Sequence, residues 1–490
     1  MSDYTDLKTT SAIPEASSMI ETFRAIGYSP ETAIADIIDN SLSAGASRVW
    51  VNFEWKGADS WLTIRDNGSG MNNEELIEAM RPGSRPPFEE RKRQDLGRFG
   101  LGLKTASFSQ ARRLTVVSRK LGGERVFWTW DLDHVKSTGK WELVRFLPEA
   151  AAVDKLEEYP SGTLVFWGEL DRLVKNMDQR SDAALSKFLA VMETVKKHLS
   201  MVFHRFIEKK QVQIYFQDTL LLPWDPFMTD EVAAQVFPEE PLCDGQVRLK
   251  GYVLPHKSKL SDTKFRSGEG LHGWNAHQGF YIYRNERLLV PGDWLGMFRK
   301  EEHYKLTRIR IDIPNSMDAD WQIDIKKSVA RPPLQFREQI RSYALKVREQ
   351  GVEVYRHRGR VVKNLAGNSL IPVWNECRRG GNWYYKVNRE HPLLEDLLKT
   401  IPAGERKNLE KALQLIEETV PVRSIYIREA EQPEMEGKPF EGTDIEQIRR
   451  MMQKMYQNLL ANGRTSEQAK IRIAGIEPFN HFEYLMGSLS

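Results

Sequence analysis

The stretch Asp36-Ile37-Ile38-Asp39-Asn40-Ser41-Leu42-Ser43-Ala44-Gly45-Ala46 decides how this chain is read. It closes a helix that opens near Ser29, with Pro30 early in it and Ala33, Ile34, Ile37, Ile38 and Leu42 on one side. Gly45 ends it. Asp36 and Asn40 stand one turn apart and share a face. A carboxylate beside an amide can hold a water and a magnesium ion, which prefers oxygen ligands and keeps much of its water shell. A solvent-facing Asp and Asn would give the same spacing, so the pair needs support from elsewhere.

That support lies downstream. Asp66-Asn67-Gly68-Ser69-Gly70-Met71 follows the strand-like run Trp61 to Arg65. Its glycines let backbone approach a flat ligand closely. A buried carboxylate there can accept a hydrogen bond from an exocyclic amine such as that of adenine. Asp-Asn-Gly is equally a good tight turn. Next comes Gly97-Arg98-Phe99-Gly100-Leu101-Gly102-Leu103-Lys104-Thr105. Backbone N–H groups before a helix start bind phosphate oxygens, and Lys104 adds a point charge. The order is not that of a P-loop, since no Gly-Lys-Ser/Thr follows. The glycines do not follow the first strand of a parallel unit either, which excludes a dinucleotide fold.

In this order and spacing the three segments resemble the GHKL ATPases: gyrase B, the heat-shock chaperone ATPases, histidine kinases and MutL. The nearest resemblance is to the MORC-like branch, whose Asp-Asn-Ser-x-x-Ala-Gly-Ala is matched at Asp39 to Ala46 and whose Gly-x-Phe-Gly-x-Gly-Leu-Lys is matched at Gly97 to Lys104. A fourth element, a Gly-Thr beginning a strand, fits Gly162-Thr163. The resemblance implies an α+β fold over residues 1–175, a Bergerat-type ATP-binding α/β sandwich with ATP and Mg2+ as its ligands. It implies that Asn40 ligates Mg2+, that Asp66 reads the adenine amine, and that Gly68, Gly70 and Met71 line the base pocket. Gly97, Gly100 and Gly102 would wrap the triphosphate, with Arg98, Phe99 and Leu101 in the same turn and Lys104 beside it. Thr163 would support Asp66, and Arg81 to Leu96 would be a lid. One departure stands out. The family's general base is usually Glu, and here it is Asp36, one methylene shorter. General-base work depends on reach, and misplacement by about 1 Å costs about two orders of magnitude in rate. Slow hydrolysis is therefore an open outcome.

Residues 176–350 resemble the transducer domain, of the ribosomal-S5-like type, that follows this ATPase domain in gyrase, MutL and MORC-like proteins. A loop lysine there reaches the γ-phosphate. In Trp321 to Ala330 the Lys-Ser pair points to Lys327, with Lys326 second. An exposed strand end would show the same alternation. Tyr283 to Leu288 reads as a structural strand and turn. A helix is expected over Ala183 to Ile207, a long loop over Lys257 to Gln278, a closing helix over Pro333 to Glu349, and a basic linker at Arg356 to Lys363. Residues 351–490 read as mixed and mostly helical. They contain a hairpin turned at Gly380-Gly381 and an apolar stripe at Ile445, Ile448, Met452, Met455 and Leu459 that suits a packing helix.

Composition excludes other classes. Lys plus Arg minus Asp plus Glu is 71 − 68 = +3, so any basic surface is local. Two cysteines cannot make a disulfide framework or a four-Cys zinc site. No signal peptide and no membrane span is read, so a soluble, cytoplasmic protein is expected. No metalloprotease helix, Cys-x-x-Cys or nucleophile elbow appears. Arg356, Arg358, Arg360 and Lys363, then Arg378, Arg379, Lys386 and Arg389 near Trp374, Trp383, Tyr384 and Tyr385, are candidates for DNA contact, with a solvated linker before a hairpin as the plainer reading. An ordinary hairpin would look the same. The resemblance implies an ATP-dependent homodimer acting as a clamp, with duplex DNA as client in a microbial defence or restriction system. The alternatives are an ATP-switched scaffold that recruits effector proteins with little turnover, and a protein-remodelling chaperone.

Overall fold

Period-two alternation builds the first layer. In Arg113–Arg119 (β3), Val116 faces one core and its neighbour Val117 another; in Gly162–Gly168 (β5), Val165 and Leu164 divide the same way. The structure is a computed structural model. It describes residues 10, 12–83, 101–148, 158–174, 180–324, 327, 329–356, 371–379, 382–425, 439–440 and 442–489. Arg48–Glu54 (β1), Trp61–Asp66 (β2), β3, Arg125–Asp131 (β4), β5, Gln213–Phe216 (β6) and Thr219–Leu220 (β7) form a seven-stranded sheet in the order β4-β3-β5-β2-β1-β6-β7. Its pairings are antiparallel except β1 with β6.

Helices Ala16–Arg24 (α1), Pro30–Ser43 (α2), Asn73–Met80 (α3), Gly102–Phe108 (α4), Leu132–Thr138 (α5) and Asp182–Val202 (α6) belong to this layer. Ile20, Ile34, Ile38, Phe108, Phe188 and Leu199 from the helices share one core with Val49, Ile64, Val116 and Trp167 from the sheet. Each such side chain contributes about 1.5–3 kcal/mol by leaving water. α3 starts on a capping box in which Asn72 accepts from the Glu75 N–H and Glu75 accepts from the Asn72 N–H. The α+β sandwich expected from the sequence is thus present. The sheet also recruits β6 and β7 from beyond residue 176.

A second sheet comprises Gln235–Val236 (β8), Glu240–Leu242 (β9), Val247–Val253 (β10), Gly279–Arg284 (β11), Arg287–Asp293 (β12) and Thr307–Ile313 (β13). The order is β12-β11-β13-β10-β8, with β9 also on β10. Three expectations change here. The helix expected over Ala183 to Ile207 breaks at Phe203, and His204–Glu208 (α7) continues it. The segment expected as a loop, Lys257 to Gln278, contains Asp262–Gly268 (α8), capped by Ser261 and anchored where Phe265 stacks on Trp274 at 5.0 Å between ring centroids. The closing helix, Leu334–Arg356 (α9), runs through Gly351 and into the expected linker. A side chain at 351 would lie 2.2 Å from Thr307 Oγ1, so glycine there brings the helix close to β13 rather than ending it.

Residues 360–490 form a separate compact unit. It holds a hairpin of Trp374–Arg379 (β14) and Asn382–Val387 (β15), then Pro392–Thr400 (α10), Ala403–Glu418 (α11), Ile445–Ala461 (α12) and Ser466–Ala474 (α13). The apolar stripe is a core face: Ile448, Met452 and Met455 of α12 pack with Ile473 and Phe479. Of the basic residues weighed for DNA contact, Arg389 is tied to Glu410 and Glu417. Residues 357–370 and the turn at 380–381 lie outside the described residues. Among the described residues no helix is long and apolar enough to cross a membrane.

Candidate functional site

The face of α2 that carries Asp36, Asp39 and Asn40 is where the two sheets meet chemically. The helix lies deep enough in its layer that Asp36 is 4% exposed and Asp39 fully buried, while Asn40 is exposed. Two isolated carboxylates could not stay ionised there. Both are answered by one ammonium. Lys327 Nζ donates to Asp39 Oδ2 at 2.6 Å and stands 3.2 Å from Asp36 Oδ1. The remaining oxygens are also held. Tyr28 donates its hydroxyl to Asp36 Oδ2 at 2.8 Å, and Arg287 donates Nε to Asp39 Oδ1 at 2.9 Å.

Burial pushes the Asp36 carboxyl above the usual range, and Lys327 only partly pulls it back. Asp39 is also penalised by burial, yet Arg287 and Lys327 together bring it below the ordinary carboxylate value. Burial lowers the Lys327 ammonium, and Asp36 and Asp39 more than offset this, so it stands above its ordinary value. The result is an ionised Asp39 and a charged lysine, beside the carboxylate that binds a proton most readily.

Local structure delivers both cations. Lys327 sits at φ +53 in a tight loop, where its N–H donates to the Asp324 carbonyl at 3.1 Å and the Val329 N–H donates to Asp324 Oδ1 at 2.9 Å. Arg287 follows a two-residue turn, Asn285-Glu286, with both φ values positive as a type I′ hairpin requires. The turn is anchored on its other side by Arg284, which grips Asp318 at 2.6 and 2.7 Å. Phe203, at the break between α6 and α7, lies under the Arg287 guanidinium at 4.5 Å.

A second cluster lies at the end of β2. Asp66 Oδ1 accepts from the Gly68 N–H at 2.9 Å and the Thr163 N–H at 3.3 Å, and Oδ2 accepts from the Ser41 hydroxyl at 2.8 Å. An ionised carboxylate offers about four lone-pair sites, so among the described residues one remains for an exocyclic amine. Burial raises the Asp66 carboxyl, and these three donors counter it. Ser118 donates to the Gly162 carbonyl, accepts from the Met71 N–H, and shares a hydrogen bond with the Thr163 hydroxyl. Gly70 lies at φ +65, and a Cβ there would fall 1.9 Å from the Arg119 carbonyl oxygen.

The structure therefore brings Asp36 and Lys327 together, with Asn40 one turn along α2 from Asp36, and Asp66, Gly68, Gly70, Met71 and Thr163 into one strand-end cluster. Ser41, next to Asn40 on α2, links the two. Gly102 starts α4, and a Cβ on it would lie 3.8 Å from Asp36 Oδ2. Lys104 does not sit as the motif suggested. It is buried, donates to the Ala79 carbonyl at 2.8 Å, and is pushed down to about 8 by burial. Leu101 lines an apolar hollow of about 790 Å3 with Phe23, Ile77, Trp128 and Trp141, with no carboxylate among the described residues of its lining. Gly97, Arg98, Phe99, Gly100 and Lys326 lie outside the described residues, as does the expected lid beyond residue 83.

Sequence reading missed Tyr28, Asp39, Ser41 and Arg287. Asp39 and Ser41 were inside the quoted motif, but nothing local says which way they point. Arg287 is 248 positions from the carboxylate it binds, and no sequence signal links them.

Residues 28–163 match the family model described as histidine kinase-, DNA gyrase B-, and HSP90-like ATPase. The chain is 26% identical over 276 residues to the DNA mismatch repair protein MutL of Pseudoalteromonas translucida, covering 53% of this chain and 38% of the relative. It is 33% identical over 93 residues to the ATPase morc-1 of Caenorhabditis elegans, covering 19% and 10%. To the chaperone protein HtpG of Rickettsia canadensis it is 27% identical over 188 residues, covering 36% and 27%. The chain thus spans well under half the length of these curated relatives.

Proposed function

We propose, for a chain whose residues 28–163 form an ATPase domain of the GHKL kind, that this domain binds Mg·ATP and hydrolyses it under the control of Lys327. The observation that carries this is the Lys327 contact: an ammonium from the loop after β13 seated between Asp36 and Asp39 on α2. A loop lysine so placed is beside the carboxylate that would receive a proton. Asp66, with one acceptor site to spare, would take the adenine amine. Asn40 would hold the magnesium ion, which neutralises charge on the triphosphate. Asp36 would accept a proton from the water that attacks the γ-phosphorus as the bond to the bridging oxygen of ADP breaks.

The finer reading is an ATP-gated clamp: two copies pair when ATP is bound and engage duplex DNA. The similarity to proteins named for DNA mismatch repair and to a MORC ATPase supports it. The MORC-like branch rests on the motif resemblance and the match to the ATPase morc-1, and a defence or restriction setting on the resemblance alone. Steady-state ATP hydrolysis with Mg2+, with and without duplex DNA and with Asn40→Ala as control, tests it. Turnover that rises with DNA and vanishes in the variant is expected. Turnover equal to that of the variant in both conditions would refute an active, DNA-coupled ATPase.

One observation favours a second reading, an ATP-switched scaffold with slow turnover. Both oxygens of the short Asp36 side chain are engaged, by Tyr28 and by Lys327. Asp36→Glu, restoring the longer reach, raises turnover at least tenfold if the scaffold reading holds and leaves it level or lower if Asp36 is already well placed.

A further inference from the structure

Lys327 controls hydrolysis in the reading above, and two groups given no chemical role there, Asp39 and Arg287, determine where it sits. Asp39 binds it at 2.6 Å, a closer approach than the 3.2 Å to Asp36. Arg287 binds the other oxygen of the same carboxylate at 2.9 Å. Asp39 and Arg287 come from different sheets' layers, α2 and β12, and both are buried. The four groups balance as two carboxylates and two cations. Arg287 does two things to Lys327: it draws off part of the Asp39 charge, and it repels the ammonium directly.

We infer that Asp39 and Arg287 are a positioning pair that sets how readily Lys327 can be shared with a γ-phosphate. This rests on the proposed nucleotide site. Asp39 competes with a phosphate oxygen for the ammonium and adds a negative charge near it; Arg287 weakens that competition. The ammonium donates to Asp39 and stands in an ion pair with Asp36, so the balance of charge around it decides how readily its other N–H groups can bind a phosphate oxygen. A nucleotide without a γ-phosphate does not enter this competition. The pair therefore acts on discrimination between triphosphate and diphosphate rather than on adenine binding.

The two residues should act with opposite signs. In the full-length chain, dissociation constants for ADP and for a non-hydrolysable ATP analogue give a ratio for each variant. Asp39→Asn is expected to raise the preference for the triphosphate by about tenfold, the size of one unit charge acting across about 10 Å at an intermediate dielectric. Arg287→Gln is expected to lower it by a similar factor, with Arg287→Lys recovering part. The double variant, with both charges gone, should return within about twofold of wild type. It also serves if Asp39→Asn alone is too unstable to purify, because it leaves no buried Arg287 without its partner. A purely structural role would lower thermal stability and weaken both nucleotides equally. An unchanged ratio in a wild type that binds both nucleotides, or shifts of the same sign, would overturn the pair's role. A wild type that binds neither, or binds as Asn40→Ala does, would overturn the nucleotide site and this inference with it.

Discussion

Replacing Lys327 with methionine removes the charge while keeping much of the stem's packing. The lysine side chain is 10% exposed, and its ammonium is shared by two buried carboxylates. Removing one partner of a buried pair costs about 3–5 kcal/mol. Here Arg287 still answers Asp39, so the exposed weakness is Asp36, left with the Tyr28 hydroxyl. Its carboxyl is already raised by burial, and loss of Lys327 removes the largest influence lowering it. A carboxyl whose folded pKa is raised contributes stability below its unfolded value, and that contribution is lost as pH rises through the folded pKa. The variant should therefore lie closer to wild type at pH 5 than at pH 8, because protonation relieves the unpaired Asp36. It should fall about 3 kcal/mol below wild type near pH 8. Urea unfolding followed by far-UV circular dichroism at the two pH values measures this. A deficit that is equal at both, or that is larger at pH 5, would show that Lys327 does not hold Asp36 ionised.

Gly70→Ala puts a Cβ against the Arg119 carbonyl oxygen at a left-handed φ. We expect a loss of about 3 kcal/mol in unfolding free energy and weaker adenine-nucleotide binding, read by thermal denaturation and titration. Lys104, pushed down to about 8 by burial, penalises the fold while it is charged, and the penalty is relieved as pH rises from its folded value towards 10.5. Lys104→Met should remove that relief, so wild type minus variant stability rises between pH 8 and 10.5; a flat difference would mean that the buried ammonium is not titrating there.

Much of the architecture was legible because its signals are local. The strand-like run Trp61 to Arg65 gave β2, Gly162-Thr163 marked the start of β5, and helical spacing with Pro30 at the start and Gly45 at the stop gave α2. The stripe at 445–459 read as a packing helix and is one. The misreadings share a physical cause. The closing helix was expected to end at Glu349, but glycine at 351 lets α9 continue close past Thr307. Polar Lys257 to Gln278 reads as loop, but an aromatic stack inside it fixes a helix.

The same division runs through the site. The motif order alone selected Asp36, Asn40, Asp66 and the glycines, because a carboxylate and an amide one turn apart, or glycines beside a carboxylate, are short-range patterns that the chain carries wherever it folds. The sequence by itself also singled out Lys327, through a short run whose place is set by resemblance. It could not say that Asp39 is the closest partner of that lysine, that Arg287 from β12 completes the set, or that Lys104 turns away to the Ala79 carbonyl. Those facts depend on burial. A charge in the interior must find its opposite within hydrogen-bond reach, and which opposite is near is decided only when the two sheets have packed.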